Sequence, residues 1–190
     1  MKIYFTASIV GKRYYLSNYQ KIIGILKAKN LEVISDHIIN TTETQIRMEK
    51  VEERIKFQKQ LEKWLNSCDY VVAETSFPSI SVGYEISLAL HYGKPVLILY
   101  CEGNPPSLLA QYKEANLICR QYTPTSVSKI IDDFTQHVKE LEDTKFTFVI
   151  TPEISAFLTK ISIKEKIPKS VYLRQLIEEG MRSKIPTETS

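Results

Sequence analysis

Short apolar runs alternate with longer amphipathic stretches along the first three-quarters of the chain. The runs KIYFTASI, LEVISD, DYVVAE, PVLILY and NLICRQY are rich in β-branched and aromatic residues, and they predict five strands. Between them the apolar positions recur at helical spacing. Tyr19, Ile22, Ile23 and Leu26 mark a helix over Tyr14 to Lys29, and Ile55, Leu61, Trp64 and Leu65 form the apolar side of a long charged helix over about Glu43 to Asn66. Two more helices are predicted, over Gly83 to Tyr92 and about Thr125 to Glu142. Strand and helix in strict alternation imply parallel strands, because a parallel pair needs a crossover connection. The expected fold is therefore α/β: a doubly wound, mainly parallel five-stranded sheet of Rossmann-like type, covered by helices on both faces.

The pattern changes after the charged segment KELEDT. Phe146, Phe148 and Ile150 alternate with Lys145, Thr147 and Val149, which is the period of a strand. Pro152 suits a helix first turn, and Ile154, Phe157, Leu158 and Ile161 follow at helical spacing. A second helix starts near Lys169-Ser170 and carries Val171, Leu173, Leu176 and Ile177. The expected division is residues 1–144 as the sheet domain, 145–183 as a small strand-helix-helix module, and 184–190 as a tail.

Composition narrows the class. Of the 190 residues 43% are hydrophobic and 25% charged, and no apolar run approaches the roughly 20 residues of a bilayer span, so no membrane association is expected. The first apolar stretch is too short for a secretory signal and runs into GKRYY instead of a small-residue cleavage site, which predicts a cytoplasmic protein. Cys68, Cys101 and Cys119 are odd in number and widely spaced, so neither a disulfide framework nor a metal site is expected. The formal net charge of +3 lies wholly in the C-terminal segment, where eight Lys/Arg face five Asp/Glu from Lys145 onward.

In open parallel sheets ligands bind beyond the carboxyl ends of the strands. That rule selects the loops TASIVGKR, SDH, ETSFPS and CEGNPPS. Glu85 follows the third of these, alone in the apolar and small-residue stretch PSISVGYEISLAL. Two roles are open to it: a partner for the helix dipole, or a working carboxylate. Ser79 and Ser81 offer a polar cradle for an anion, with Gly83 letting the backbone come close, and Glu85 stands one turn further in. Asp69 ends a helix and opens a strand, which reads as a cap at the far edge of the sheet.

KIYFTASIVGKR, EKWLNSCDYVVAETSFPSISVGYEISLALHYGKPVLILY and PPSLLAQY together resemble the nucleoside 2-deoxyribosyltransferase superfamily, most closely its 2′-deoxynucleoside 5′-phosphate N-hydrolase branch. The similarity spans roughly Met1 to Thr144, and its most specific element is D-x-V-V-A-E followed by P-S-x-x-V-G-Y-E. The resemblance implies that Glu85 attacks C1′ of the deoxyribose or stabilises the oxocarbenium ion there, with Asp69 and Tyr4 as its proton partners. It places the 5′-phosphate among Ser8 and the loop Ile9, Gly11, Lys12 and Arg13, with Ser79 and a serine from a partner subunit that matches Ser107. His37 matches a pocket histidine and is open equally to a structural role. The resemblance calls for no cofactor, and it implies a homodimer or higher homo-oligomer acting on a deoxynucleotide or deoxynucleoside. Base exchange on free deoxynucleosides, as in the transferase branch, is the alternative reaction.

The pattern also breaks in places. The family loop carries an Arg where this chain has Val10 and a Gly where it has Lys12; Ser81 and Ser87 replace small glycines; and KQLEKWL lacks an Asp common before the E-W-L element. Lys12 or Arg13 is expected to make good the lost charge. The segment Lys145 to Arg182 resembles the ribbon-helix-helix fold, in which two chains pair single strands above four helices. That resemblance leaves two roles for the module. One is dimerisation; the other is DNA binding, with Lys145, Thr147 and Val149 facing the groove and the whole protein acting as a nucleotide-sensing regulator.

Overall fold

The computed structural model describes residues 1–103, 116–142 and 149–184. The chain divides into two compact units, Met1–Thr144 and Lys145–Ser190.

Five strands form the sheet of the first unit: β1 (Lys2–Ala7), β2 (Glu32–Ile34), β3 (Tyr70–Glu74), β4 (Val96–Tyr100) and β5 (Leu117–Gln121). All pairings are parallel, in the order β2-β1-β3-β4-β5, with Ile3 opposite Tyr70 and Val72 opposite Leu97. The sheet is the all-parallel α/β architecture expected from the alternation of patterns. Because β1 sits beside both β2 and β3, the chain reverses its direction of winding there, and the cleft at that reversal is the usual ligand position of such sheets.

Strand alternation sorts the core into two layers. Ile3, Phe5, Val72, Leu97 and Leu99 face α1 (Lys12–Ala28) and α6 (Val127–Glu142), where Tyr19, Ile22, Leu26, Ile131 and Phe134 complete one layer. Tyr4, Val71, Ala73, Val96 and Ile98 face the other way. They pack on Leu61 and Leu65 of α4 (Val51–Ser67) and on Val82, Ile86 and Ala89 of α5 (Ile80–His91).

The structure departs from the pattern at two places. The long helix expected over Glu43 to Asn66 is broken into α3 (Glu43–Arg47) and α4. Both pieces carry their own N-terminal stop: Thr42 and Gln45 form a reciprocal capping box on α3, and the Glu53 carboxylate accepts the Lys50 amide at 2.8 Å ahead of α4. The helical period runs unbroken through the gap, so periodicity alone reads one helix. The SDH loop holds a single turn, α2 (Asp36–Ile39), which is too short to show a period.

In the second unit, α7 (Pro152–Glu165) begins at Thr151, whose side chain accepts the Ile154 amide, and ends at Lys166 in the left-handed conformation. α8 (Lys169–Lys184) follows. The strand expected over residues 145–150 lies mostly outside the described residues. No helix among the described residues is long and apolar enough to cross a membrane.

Candidate active site

Ser79 is the N-cap of α5: its hydroxyl accepts the Val82 amide at 3.4 Å and its carbonyl accepts the Gly83 amide at 3.1 Å. The amides of Ile80 and Ser81, in the helix's first turn, are left open by the geometry of any helix start. Val82, Glu85, Ile86 and Ala89 are the buried positions of α5, so Glu85 stands where the helical period calls for an apolar residue. It is 6% exposed and lies about 9 Å along the axis from Ser79, well past the first turn where a dipole partner would be placed.

The Tyr4 hydroxyl, on the buried face of β1, donates to Glu85 Oε2 at 3.0 Å. Burial pushes the Glu85 carboxyl above its ordinary range, and the hydroxyls of Thr6 and Tyr4 pull against that shift. The Thr6 hydroxyl makes no hydrogen bond of full geometry, so Tyr4 is the firm partner. Tyr4 itself is pushed well above the ordinary phenol value by burial and by Glu85, which keeps it a donor.

A cavity of about 310 Å³ opens over this pair at the carboxyl edge of the sheet. Ser8, Ile9 and Val10 line it from the β1–α1 loop, His37, Ile38 and Thr41 from around α2, and Glu49 and Phe57 from the α3–α4 break and α4; Ser79, Ser81, Val82 and Glu85 close it from α5. The His37 ring stacks on Tyr4 at 4.9 Å with a 12° tilt, and Trp64 and Phe57 flank it at 4.9 and 6.2 Å. Burial lowers its pKa to about 4, and both ring nitrogens are buried without a hydrogen-bond partner among the described residues. The result is a neutral aromatic wall beside the carboxylate, a surface on which a flat heterocycle can stack.

Gly11 is required by close approach. A Cβ there would stand 2.6 Å from the Phe77 Cβ and 2.7 Å from the Tyr19 hydroxyl, so the β1–α1 and β3–α5 loops touch at this residue. The Gly11 amide donates to the Ser8 hydroxyl at 3.1 Å, which curls the loop over the cavity.

Several expectations are corrected. Asp69 precedes β3 and so stands at the amino edge, where its carboxylate accepts the Lys2 amide at 2.6 Å; the structure does not bring it to Glu85. Lys12 offers its ammonium to the carbonyls of Ile38 at 2.9 Å, Ile39 at 3.1 Å and Thr41, so it seals the end of α2 instead of pointing into the cavity. Arg13 is paired with Glu43. A Gly83 Cβ would meet no protein atom within 4 Å, so no approach within the protein itself requires this glycine. Ser107, Lys145 and Thr147 lie outside the described residues; Val149 is 99% exposed.

Sequence reasoning missed Glu49, Thr41 and Phe57 as lining residues. Phe57 and Trp64 stand seven residues apart on one helix face, a signal that was present in the pattern. It also missed Glu74, a fully buried carboxyl at the end of β3 on the opposite face of the sheet. Glu74 Oε1 accepts from the Tyr122 hydroxyl at 3.1 Å and from the Ser76 hydroxyl, and burial raises its pKa. Among the described residues no three His, Cys, Asp or Glu side chains gather as a metal site.

The fold is shared with BcmB, a CMP N-glycosidase of Clostridium botulinum, at a TM-score of 0.53 and 17% identity over 70% of this chain and 99% of that one. By sequence, the chain is 32% identical over 137 residues to a Nematostella vectensis protein provisionally named 2′-deoxynucleoside 5′-phosphate N-hydrolase 1, covering 70% of this chain and 92% of the relative. It is 31% identical over 139 residues to the 5-hydroxymethyl-dUMP N-hydrolase of Esox lucius, covering 70% and 95%. No family model matches the chain. Sheet and relatives together define an enzyme that acts on N-glycosidic bonds. The chain belongs to the 2′-deoxynucleoside 5′-phosphate N-hydrolase family.

Proposed function

We propose that the chain hydrolyses the N-glycosidic bond of 2′-deoxynucleoside 5′-monophosphates, releasing the free base and deoxyribose 5-phosphate, with Glu85 as the nucleophile. The observation that carries this reading is the Tyr4–Glu85 hydrogen bond inside a cavity with an aromatic wall at the sheet's switch point. The Tyr4 hydroxyl occupies one carboxylate oxygen and favours the ionised form, leaving the other oxygen to attack C1′ as the bond to the base nitrogen breaks. Water then displaces Glu85 from C1′. The base stacks against His37 and Phe57, the rings that line the cavity.

The 5′-phosphate is met by the hydroxyls of Ser8 and Ser79 and the open amides of Ile80 and Ser81, with Ser107 of a partner subunit as a further ligand. Lys12 and Arg13 are engaged elsewhere, so these neutral donors carry the recognition. The second unit serves self-association as a ribbon-helix-helix-like module, because α7 and α8 leave Phe157, Ile163, Ile177 and Met181 exposed. The proposed setting is a cytoplasmic nucleotide pool.

Chromatographic assay of base release from a panel of deoxynucleoside monophosphates and nucleosides, with and without an acceptor base, tests the reaction. Release from monophosphates is expected to fall by at least 1000-fold in Glu85→Ala, the scale of losing a covalent nucleophile. Exchange confined to nucleosides with an acceptor base would instead place the chain with the transferases.

A further inference from the structure

Hydrolysis through a glycosyl-enzyme ester needs a second acid–base group: one that gives a proton to the departing base and takes one from the incoming water. Asp69 cannot serve, since it faces the opposite edge of the sheet. Among the described residues, Glu49 and Glu85 are the two carboxylates that line the cavity. Both open onto one space of about 310 Å³, the space that also holds the aromatic wall of His37 and Phe57.

Glu49 is also a held residue. It sits in the break between α3 and α4, its amide donates to the Ile46 carbonyl at 3.3 Å, and Arg54 grips it twice. The Arg54 guanidinium donates to the Glu49 carbonyl at 3.3 Å and stands 3.7 Å from the Glu49 carboxylate. Phe57, two turns into α4, lines the same cavity and belongs to the aromatic wall around His37. Glu49 and the rings on which a base would stack therefore face one cavity.

We infer that Glu49 is the acid–base catalyst of this enzyme, supplied by the helix break instead of by Asp69. The inference rests on Glu85 being the nucleophile. In the first step the C1′–N bond breaks, a Glu85 oxygen bonds to C1′, and the Glu49 carboxyl passes its proton to the base nitrogen. In the second, a water oxygen bonds to C1′ as the C1′–O bond to Glu85 breaks, and the water proton returns to Glu49. The sum is one nucleotide and one water in, one base and one deoxyribose 5-phosphate out.

The test is Glu49→Gln with 5-fluoro-dUMP, whose electron-poor base leaves as a stable anion and needs little help from an acid. The first step is then spared and the second exposed. Rapid-quench assay is expected to show a burst of free base about equal to the enzyme concentration, followed by turnover reduced about 100-fold. Sodium azide, a nucleophile with no proton to give up, is expected to restore that turnover at least tenfold, and intact-mass analysis to show deoxyribose phosphate attached to the variant. Glu49→Ala is expected to behave alike, which separates lost proton transfer from a disturbed amide. Unaltered steady-state turnover in Glu49→Gln, or a loss with neither burst nor azide rescue, overturns the role while leaving the hydrolase reading in place. A wild-type chain that releases no base from any panel member sinks the hydrolase reading, and the role with it.

Discussion

Glu85 takes a core position of α5 that Val, Ile and Ala take on either side of it, and burial makes its ionised form costly there. His37 is held under the opposite tension. Burial among Tyr4, Trp64 and Phe57 depresses its pKa from about 6.5 to about 4, so the folded chain binds this proton less tightly than the unfolded chain does. Stability from His37 is therefore complete above pH 6.5 and lost as the pH falls through the window from about 6.5 to 4. Glu85 and Glu74, whose folded pKa values are raised, work in the other direction: their burial costs least once they are protonated. Comparing wild type with His37→Phe cancels those carboxyls, since both chains carry them. Urea unfolding from pH 8 to pH 4 is expected to show the wild type losing up to about 3 kcal/mol relative to His37→Phe on acidification. Parallel curves for the two chains would mean that the ring is hydrated and its burial overstated. The lone carboxylate was legible at this scale because the residues around it are apolar. The place of Asp69 was legible as well: the residue pattern reads it as a cap at the far edge, where its carboxylate accepts the Lys2 amide, and only the resemblance drew it toward Glu85.

α2 is a single turn, and a turn that short has no cooperative reason to form. It is held because Lys12, at the start of α1, reaches across to its terminal carbonyls at Ile38 and Ile39 and on to Thr41. Burial lowers the pKa of this ammonium, yet its three acceptors satisfy it. The lysine thus belongs to the scaffold of the His37 wall, although its place in the loop suggests a phosphate ligand. The two roles separate in Lys12→Met, which keeps the aliphatic stem and removes the charge. Chemical denaturation is expected to show a loss of about 2 kcal/mol, as carbonyls lose a charged donor. The fold-change in KM for a monophosphate between low and high salt is expected to match that of the wild type. A KM that rises sharply and loses its salt dependence would return Lys12 to the phosphate. Strands and the main helices were legible at the scale of elements because period 2 and period 3.6 differ plainly over five or more residues. The break before α4 was hidden, since Glu53 caps the new helix at Lys50 without disturbing the apolar period.

At the scale of the molecule, alternation of strand and helix was enough to indicate a parallel sheet, because short crossovers leave few other arrangements. The sheet unit buries apolar layers on both of its faces and has what it needs to fold alone. The second unit differs. It spans 46 residues, and among its described apolar side chains Leu158 and Ile167 are buried, while Ile163 is 74% and Ile177 60% exposed. A unit of that size with so little interior gains too little to offset its own ordering, unless its apolar faces are covered. The proposed self-association would cover Phe157, Leu176 and Met181, which are exposed on the unit's two helices. A chain ending at residue 144 separates the contributions. It is expected to keep its thermal midpoint within about 5 °C of the full chain and its base release within about threefold, since the described residues that line the cavity and build both core layers belong to the first unit. By sedimentation velocity it is expected to be at least one association step smaller than the full chain. An unchanged assembly would move self-association into the sheet unit, and collapse of the fold would mean that the exposed helix faces are covered within the chain itself.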